Sequence, residues 1–281
     1  MPHKVKSGET LSKIAKAHNI TLAQLLDANP IFKDNPDLIR VGDVLNIPEG
    51  QTAPVIVPSP VQPQPQPAAG RILGKLSEQF ETSGKGPGTV SGGQGDPGGA
   101  SYGSYQMTSK PNGGTVKHFV SEPDFPFKSR FMNLTPGSSQ FTTVWKEIAS
   151  SQRDEFQRSQ HDFIKKTHFD PLVQKIINED GVNVLTRSHT LQDVIWSTAV
   201  QHGSKSLIPH RALSTLSLRP QDREFDRSLI VAIYNERGRK NAKGVLAHFL
   251  KASAGVQKGV AKRFERELKD ALKMLAEETS S

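Results

Sequence analysis

The sequence predicts an α+β protein in two unequal parts, a small β-α-α-β module over residues 1–50 and a larger domain over residues 71–281 that carries a small glycine-rich β lobe. Three observations predict it. The Pro/Gln run "QTAPVIVPSPVQPQPQPAAG" at 51–70 lacks the apolar periodicity of a core and favours extended polyproline II, so it reads as a semi-rigid linker. Apolar residues at helical spacing recur on both sides of that run. Eight glycines fall between Gly84 and Gly99, a density that marks a loose hairpin able to approach an extended ligand closely, because glycine removes side-chain bulk.

The small module opens with "HKVKSGETL", a short strand in which Val5 alternates with basic neighbours before a Ser-Gly turn. Thr10 can N-cap a helix whose apolar stripe is Leu11, Ile14 and Ala15, and Thr21 can cap a second with Leu22, Leu25 and Leu26 facing inward. "IRVGDVLNIP" closes the module as a turn and a strand.

In the larger domain "RILGKLSEQFET" puts Ile72, Leu73, Leu76 and Phe80 on one helical stripe that Gly84 ends, with Glu81 in the last turn. A carboxylate there meets the negative end of the helix dipole beside an apolar face; both effects push its pKa up, as a general acid at neutral pH requires. Asp96 follows from the glycine lobe, and "ASYGSYQM" then offers Ser101, Tyr102, Tyr105 and Gln106 for stacking on a sugar ring and hydrogen bonding to it. Two carboxylates across a cleft, one protonated and one ionised, are the minimum apparatus of glycoside hydrolysis. At the C-terminus Val260, Phe264, Leu268, Leu272 and Leu275 form a stripe opposite six Lys/Arg, with Glu265, Glu267 and Asp270 diluting the basic face. Packing of that stripe on its own domain is the first expectation; weak contact with anionic outer-membrane lipid is the second.

Composition narrows the chemistry. There is no cysteine, which removes a disulfide framework, a thiolate zinc site and a thiol-based amidase. Residues 1–50 balance six basic against six acidic side chains and residues 51–70 carry none, so the whole excess of +8 falls on residues 71–281 and favours polyanions such as an acidic cell-wall polymer. No window approaches the length of a membrane span, and "MPHKVKSGET" lacks the apolar core of a secretory signal, so synthesis in the (host) cytoplasm without a signal peptide is expected. "GQGDPG" matches G-x-G-x-x-G, yet Pro97 and the tyrosines fit a strand-turn-helix nucleotide site poorly. His161 and His168 in "HDFIKKTH" could share a helical face but lack a third ligand of suitable spacing, so neither a metal nor a cofactor is expected. Tyr234, Glu236 and Arg237 in "IYNERG" read first as an internal salt bridge and second as cleft lining.

Two resemblances extend this reading. "VKSGETLSKIAKAHNITLAQLLDANP" followed by "NPDLIRVGDVLNIP" resembles a LysM module. The resemblance implies binding of N-acetylglucosamine-containing glycans, with Gly8, Glu9 and Thr10 lining one side of a shallow groove and Asn29, Pro30 and Ile31 the other. "GDPGGASYGSYQ" and the helix-terminal Glu81 resemble the active-site segment of the lysozyme superfamily, nearest its chitosanase-like muramidase branch, which occurs in phage endolysins and in some type VI secretion effectors. "IWSTAVQHG" is similar to a cleft-facing helix of that branch, which adds Trp196, Gln201 and His202 on the substrate side.

What the resemblances imply is a modular, monomeric muramidase: a LysM domain at 1–50, a linker at 51–70 and a lysozyme-like, mostly helical catalytic domain at 71–281. Its partner would be periplasmic bacterial peptidoglycan, with no nucleic acid. Glu81 would act as acid and Asp96 as the base that activates water. The β-1,4 bond cut would join N-acetylmuramic acid to N-acetylglucosamine. A phage endolysin is the expected setting and a secretion effector the alternative. A lytic transglycosylase and a non-enzymatic glycan-binding protein are the rival chemistries.

Overall fold

The computed structural model describes residues 2–6, 9, 11–18, 20, 22–32, 39, 41–48, 73–74, 76, 86–92 and 99–280. Glu81 and Asp96, Gly8 and Thr10, the linker 51–70, and Ile72 and Phe80 of the expected helical stripe lie outside the described residues.

The first module has the expected element order. Strand β1 (Pro2–Lys4) is followed by helices α1 (Leu11–Ala17) and α2 (Leu22–Asp27), a 3-10 turn at Pro30–Phe32 and strand β2 (Val44–Asn46). The two strands pair antiparallel, His3 opposite Leu45. Spacings of three and four residues put Leu11, Ile14 and Ala15 on one face of α1, and these join Val5, Leu25, Leu45 and Ile47 in a buried core of their own. Asn29 ties α2 to β2: its Nδ2 donates to the carbonyls of Leu25 and Asn46, each at 2.7 Å, and its Oδ1 accepts from the Asn46 amide at 2.7 Å.

The rest of the described chain is mostly helical. Its sheet is a pair of two-residue strands, β3 (Ser101–Tyr102) and β4 (Met107–Thr108), extended by a bridge from Val90 to Tyr102. Helices α3 (Gly114–Ser121), α4 (Ser139–Ser151) and α5 (Arg153–Ile164) follow, and α5 runs through a π turn at Lys165–Phe169 into α6 (Asp170–Asp180). Then come α7 (His189–His202), α8 (Ile208–Ser214), α9 (Phe225–Arg237) and the long α10 (Ala254–Thr279). Serine side chains cap α4, α7 and α10: Ser138, Ser188 and Ser253 each accept an amide N–H from the first turn.

Helix α7 is buried along most of its length, from His189 to Leu191 and from Asp193 to Ala199, and α6, the π turn, α9 and α10 pack around it. A helix enclosed on all sides shows no apolar stripe, so its sequence mixes Thr, Ser and Asp with Leu, Ile and Trp. A second part of the core is aromatic. Phe119, Phe125, Phe131, Phe141, Trp145 and Phe156 interlock with ring centroids 4.6 to 6.2 Å apart, and β3 docks Tyr102 onto them.

The stripe of α10 packs on its own domain: Phe264 and Leu275 are buried, and Val260, Leu268 and Leu272 lie against the core. Glu267 is corrected from the exposed basic face to the interior, where burial is offset by the guanidinium of Arg237 at 3.1 Å, by Arg263, and by the hydroxyls of Tyr234 and Ser197. The internal salt-bridge reading of "IYNERG" is borne out, since Glu236 also pairs, with Arg211, Arg239 and His248. No helix among the described residues is long and apolar enough to cross a membrane.

Candidate active site

The segment that contains Glu81 and Asp96 is fastened at both ends. At the first end, both carboxylate oxygens of Asp193, buried in α7, accept backbone N–H groups: one from Gly74, the other from Leu76 at 2.9 Å. Leu76 is helical, so Asp193 holds the described residues that precede Glu81 in the chain. Gly74 has φ +101°, and a Cβ there would sit 3.0 Å from Nε1 of Trp196, so this approach requires glycine.

At the other end the "SYGSYQ" element docks on one face of α5. Gln160, fully buried, accepts the Ser104 amide at 3.0 Å through Oε1 and donates through Nε2 to the Pro87 carbonyl at 3.1 Å. Trp145 Nε1 donates to the same carbonyl at 2.8 Å. Ser104 Oγ donates to Gln157 Oε1 at 2.6 Å, and the Tyr105 hydroxyl pairs with Nδ1 of His161 at 2.9 Å. Gly103, at φ +75°, lies so close to Gln160 that a Cβ would stand 2.2 Å from its Oε1.

These two ends meet on one side chain. Trp196 faces Gly74, stacks on His161 with centroids 4.4 Å apart and planes 14° from parallel, and receives the edge of Tyr105 at 6.1 Å. Burial holds His161 below the ordinary histidine pKa, so its imidazole is neutral at pH 7 and can share a proton with the Tyr105 hydroxyl. His168 is likewise lowered by burial and pairs with the hydroxyl of Thr167. His168 lies within the π turn that follows α5, which alters the helical register between the two histidines. Among the described residues no three His, Cys, Asp or Glu groups gather as a metal site.

The expected sugar-contacting residues separate. Tyr105 is half-buried beside His161 and Trp196, Gln106 folds its amide onto the Gly103 carbonyl at φ 50°, and Ser101 is held in β3 by Ser91. Tyr102 is corrected to a core residue: it is 0% exposed, packs on Phe141 and Trp145, and spends its hydroxyl on Thr142 at 2.7 Å. Trp196, also 0% exposed, supports the site from beneath and presents no face to a sugar.

Gln201 and His202 belong to a different cluster. Gln201 Oε1 accepts from Arg237 at 2.6 Å, and the His202 ring lies among His248, Phe249 and Phe264. Burial, with Arg237, His248 and Arg263 nearby, pulls the His202 pKa to about 3. Packing of α7 against α9 and α10 surrounds both side chains, which remain partly exposed.

In the first module Glu9 accepts from the Lys6 amide at 2.7 Å and from His3 Nε2 at 2.9 Å, bonds that hold its pKa below the usual carboxylate value. A carboxylate only accepts, so His3 Nε2 is a donor, and His3 Nδ1 pairs with His18 Nε2 at 3.1 Å. Asn29 is buried in its clamp, whereas Pro30 and Ile31 stand on the surface, Ile31 at 83% exposure.

Asp193, Gln157, Gln160 and the coupling of His161 to Tyr105 are residues that sequence reasoning missed. The signal available was the i, i+3, i+4 spacing of Gln157, Gln160 and His161 in a helix otherwise rich in charge.

Residues 73–268 match the family model described as type VI secretion system spike protein VgrG3-like, C-terminal, and residues 3–48 match that of the LysM domain, which is therefore present in the chain. The type VI secretion system spike protein VgrG3 of Vibrio cholerae serotype O1 is 42% identical over 142 residues, which is 50% of this chain and 14% of that protein. The endolysin of Bacillus phage PZA is 58% identical over 45 residues, 16% of this chain and 17% of that one. This chain thus spans less than a fifth of either relative's length. A solved structure titled "Chitosanase complex structure" is 22% identical with a TM-score of 0.39, over 69% of this chain and 87% of that one.

Proposed function

The chain belongs to the family of type VI secretion system spike protein VgrG3-like C-terminal domains, and from that premise we propose that it is a peptidoglycan hydrolase of muramidase type, held on its substrate by the LysM domain. One observation carries the reading. The stretch between Gly74 and Tyr105 is pinned at both ends onto Trp196, by Asp193 at its start and by Gln160 and His161 at its end, and its glycine-rich middle contains Glu81 and Asp96. A doubly anchored segment that carries two carboxylates in its sequence is suited to presenting both to one bond.

In the proposed mechanism Glu81 protonates the glycosidic oxygen between N-acetylmuramic acid and N-acetylglucosamine, while Asp96 removes a proton from the water that attacks the anomeric carbon. A gap of roughly 6.5 to 9.5 Å between the carboxyl groups leaves room for that water and inverts the anomeric centre. Tyr105, with its hydroxyl shared with neutral His161, is the aromatic platform for the sugar. In the LysM domain exposed Ile31 and Pro30 provide the apolar contact to N-acetylglucosamine, and Glu9 borders the groove.

Two settings are carried by different parts of the chain. The match over residues 73–268 favours a secretion effector, and the endolysin likeness, which covers 16% of the chain, favours lysis by a phage. A neighbouring immunity gene decides for the first, a holin gene for the second. The chemistry is tested by substitution: Glu81→Gln abolishes release of muropeptides from purified sacculi, and Asp96→Asn lowers it by about 10²- to 10⁴-fold, the ordinary worth of a general base. Near-normal turnover in Asp96→Asn would instead support a lytic transglycosylase that uses one glutamate as acid and then base.

A further inference from the structure

The groove between α8 and α9 has no part in the site above. It encloses about 690 Å³, within the range of clefts that take small ligands. Ala212 and Val231 are among the apolar residues of its floor, and the guanidinium groups of Arg211, Arg227 and Arg239 line its rim together with Glu224 and Glu236.

The charges on that rim are not equivalent. Glu236 is already shared among Arg211 at 3.2 Å, Arg239 at 2.7 Å and His248 at 3.0 Å, so its negative charge is neutralised within the protein. Arg227 is exposed and has no acidic partner within ion-pair distance among the described residues. About two turns further along α9 the exposed side chain of Asn235 offers a neutral donor and acceptor. The groove therefore presents a free, planar, two-pronged cation on a lining whose apolar part includes Ala212, Ala232, Val231 and Leu216, with Glu224 on the same lining. Its complement is a ligand with free carboxylates on a short backbone bearing methyl-sized side chains.

We propose that this groove binds the peptide stem of peptidoglycan, an alanine-containing short peptide with free carboxylates, through a bidentate contact from Arg227. The assignment rests on the peptidoglycan reading above and deepens it: the glycan strand goes to the carboxylate site while a stem is held separately between α8 and α9. Recognition of the stem would make the enzyme select peptide-substituted strands over bare amino-sugar polymers.

The test is calorimetric titration of the full chain with a synthetic, sugar-free stem peptide. Wild type binds it, Arg227→Glu binds roughly tenfold or more weakly, and Arg227→Lys, which keeps the charge but loses the fork, falls between. Amidating the peptide's carboxylates has the same effect as Arg227→Glu. Failure of wild type to bind, equal binding by Arg227→Glu, or tighter binding of an oligoglutamate peptide would overturn the proposal, the last by making the groove a general acidic-protein surface. Arg227 is exposed, so folding is not at risk, and Glu81→Gln binds the stem as wild type does. Stem binding without glycan cleavage would overturn the hydrolase reading and leave the groove assigned. Cleavage without stem binding would overturn the groove alone.

Discussion

Asp193 and Leu76 lie 117 residues apart and are joined by a 2.9 Å hydrogen bond from the Leu76 amide to the Asp193 carboxylate, fully out of water. With the Gly74 amide on the other oxygen, one buried acid in α7 fixes the backbone at Gly74 and Leu76, just before Glu81 in the sequence. Asp193→Ala leaves both amides unsatisfied and costs about 3 kcal/mol, read as a lower urea midpoint. Asp193→Asn keeps one acceptor and loses less stability, and it lowers kcat on sacculi while leaving LysM-dependent binding to sacculi unchanged. An unaltered kcat in a folded Asp193→Asn would show that the anchor does not position the chemistry.

The Arg237–Glu267 pair between α9 and α10 has both partners at 0% exposure. Arg237→Met strands a carboxylate among Tyr234, Ser197 and Arg263, and is expected to cost about 3–5 kcal/mol. The double change Arg237→Met with Glu267→Leu removes both charges and recovers much of that loss. A double-mutant cycle in urea measures the recovery, and additivity of the two single changes would contradict the coupling.

Stability falls as the solution is acidified below neutrality. His202 has a folded pKa of about 3 against an ordinary 6.5, so below about pH 6.5 the unfolded chain takes up a proton that the folded chain refuses. Each pH unit in that window removes about 1.4 kcal/mol. His161 and His168, lowered by burial, act with the same sign. His210 acts against them, since its hydrogen bond to Asp180 raises its pKa: that contribution is full at low pH and is lost as pH rises through the folded value. Urea midpoints at pH 7 and pH 5 should drop in wild type and drop less in His202→Phe; identical slopes would show that this ring is not the group responsible.

Removing residues 1–70 should weaken retention on insoluble sacculi and leave turnover of soluble glycan fragments intact, because tethering supplies effective concentration and no catalytic group. Co-sedimentation with sacculi and a soluble-fragment assay read the two separately. Loss of both together would mean that the catalytic part does not stand alone.

What was legible in the sequence follows the physics of burial. Leu11, Ile14 and Ala15, and the stripe of α10, announce their helices because each has one buried face. Helix α7 has no such face, and its signal came only through resemblance. Tyr102 and Tyr105 look alike in "SYGSYQ", yet the turn at Gly103 sends one into the aromatic core and leaves the other half-exposed beside His161. Asp193, Gln160 and Glu267 were hidden for a further reason: a buried polar side chain is recognised by partners far along the chain, and local pattern carries no record of them. The surroundings of Gln201 and His202 were hidden for the same reason, their neighbours being Arg237 and Phe264 from two other helices.

The central claim is hydrolysis of the glycan strand by Glu81 and Asp96, and mass spectrometry of sacculi digested with the purified chain tests it most directly. The account predicts muropeptides that carry the added water as reducing N-acetylmuramic acid ends, absent in Glu81→Gln and strongly depleted in Asp96→Asn. Predominantly 1,6-anhydro ends, which lack that water, or products released equally by Glu81→Gln, would contradict it.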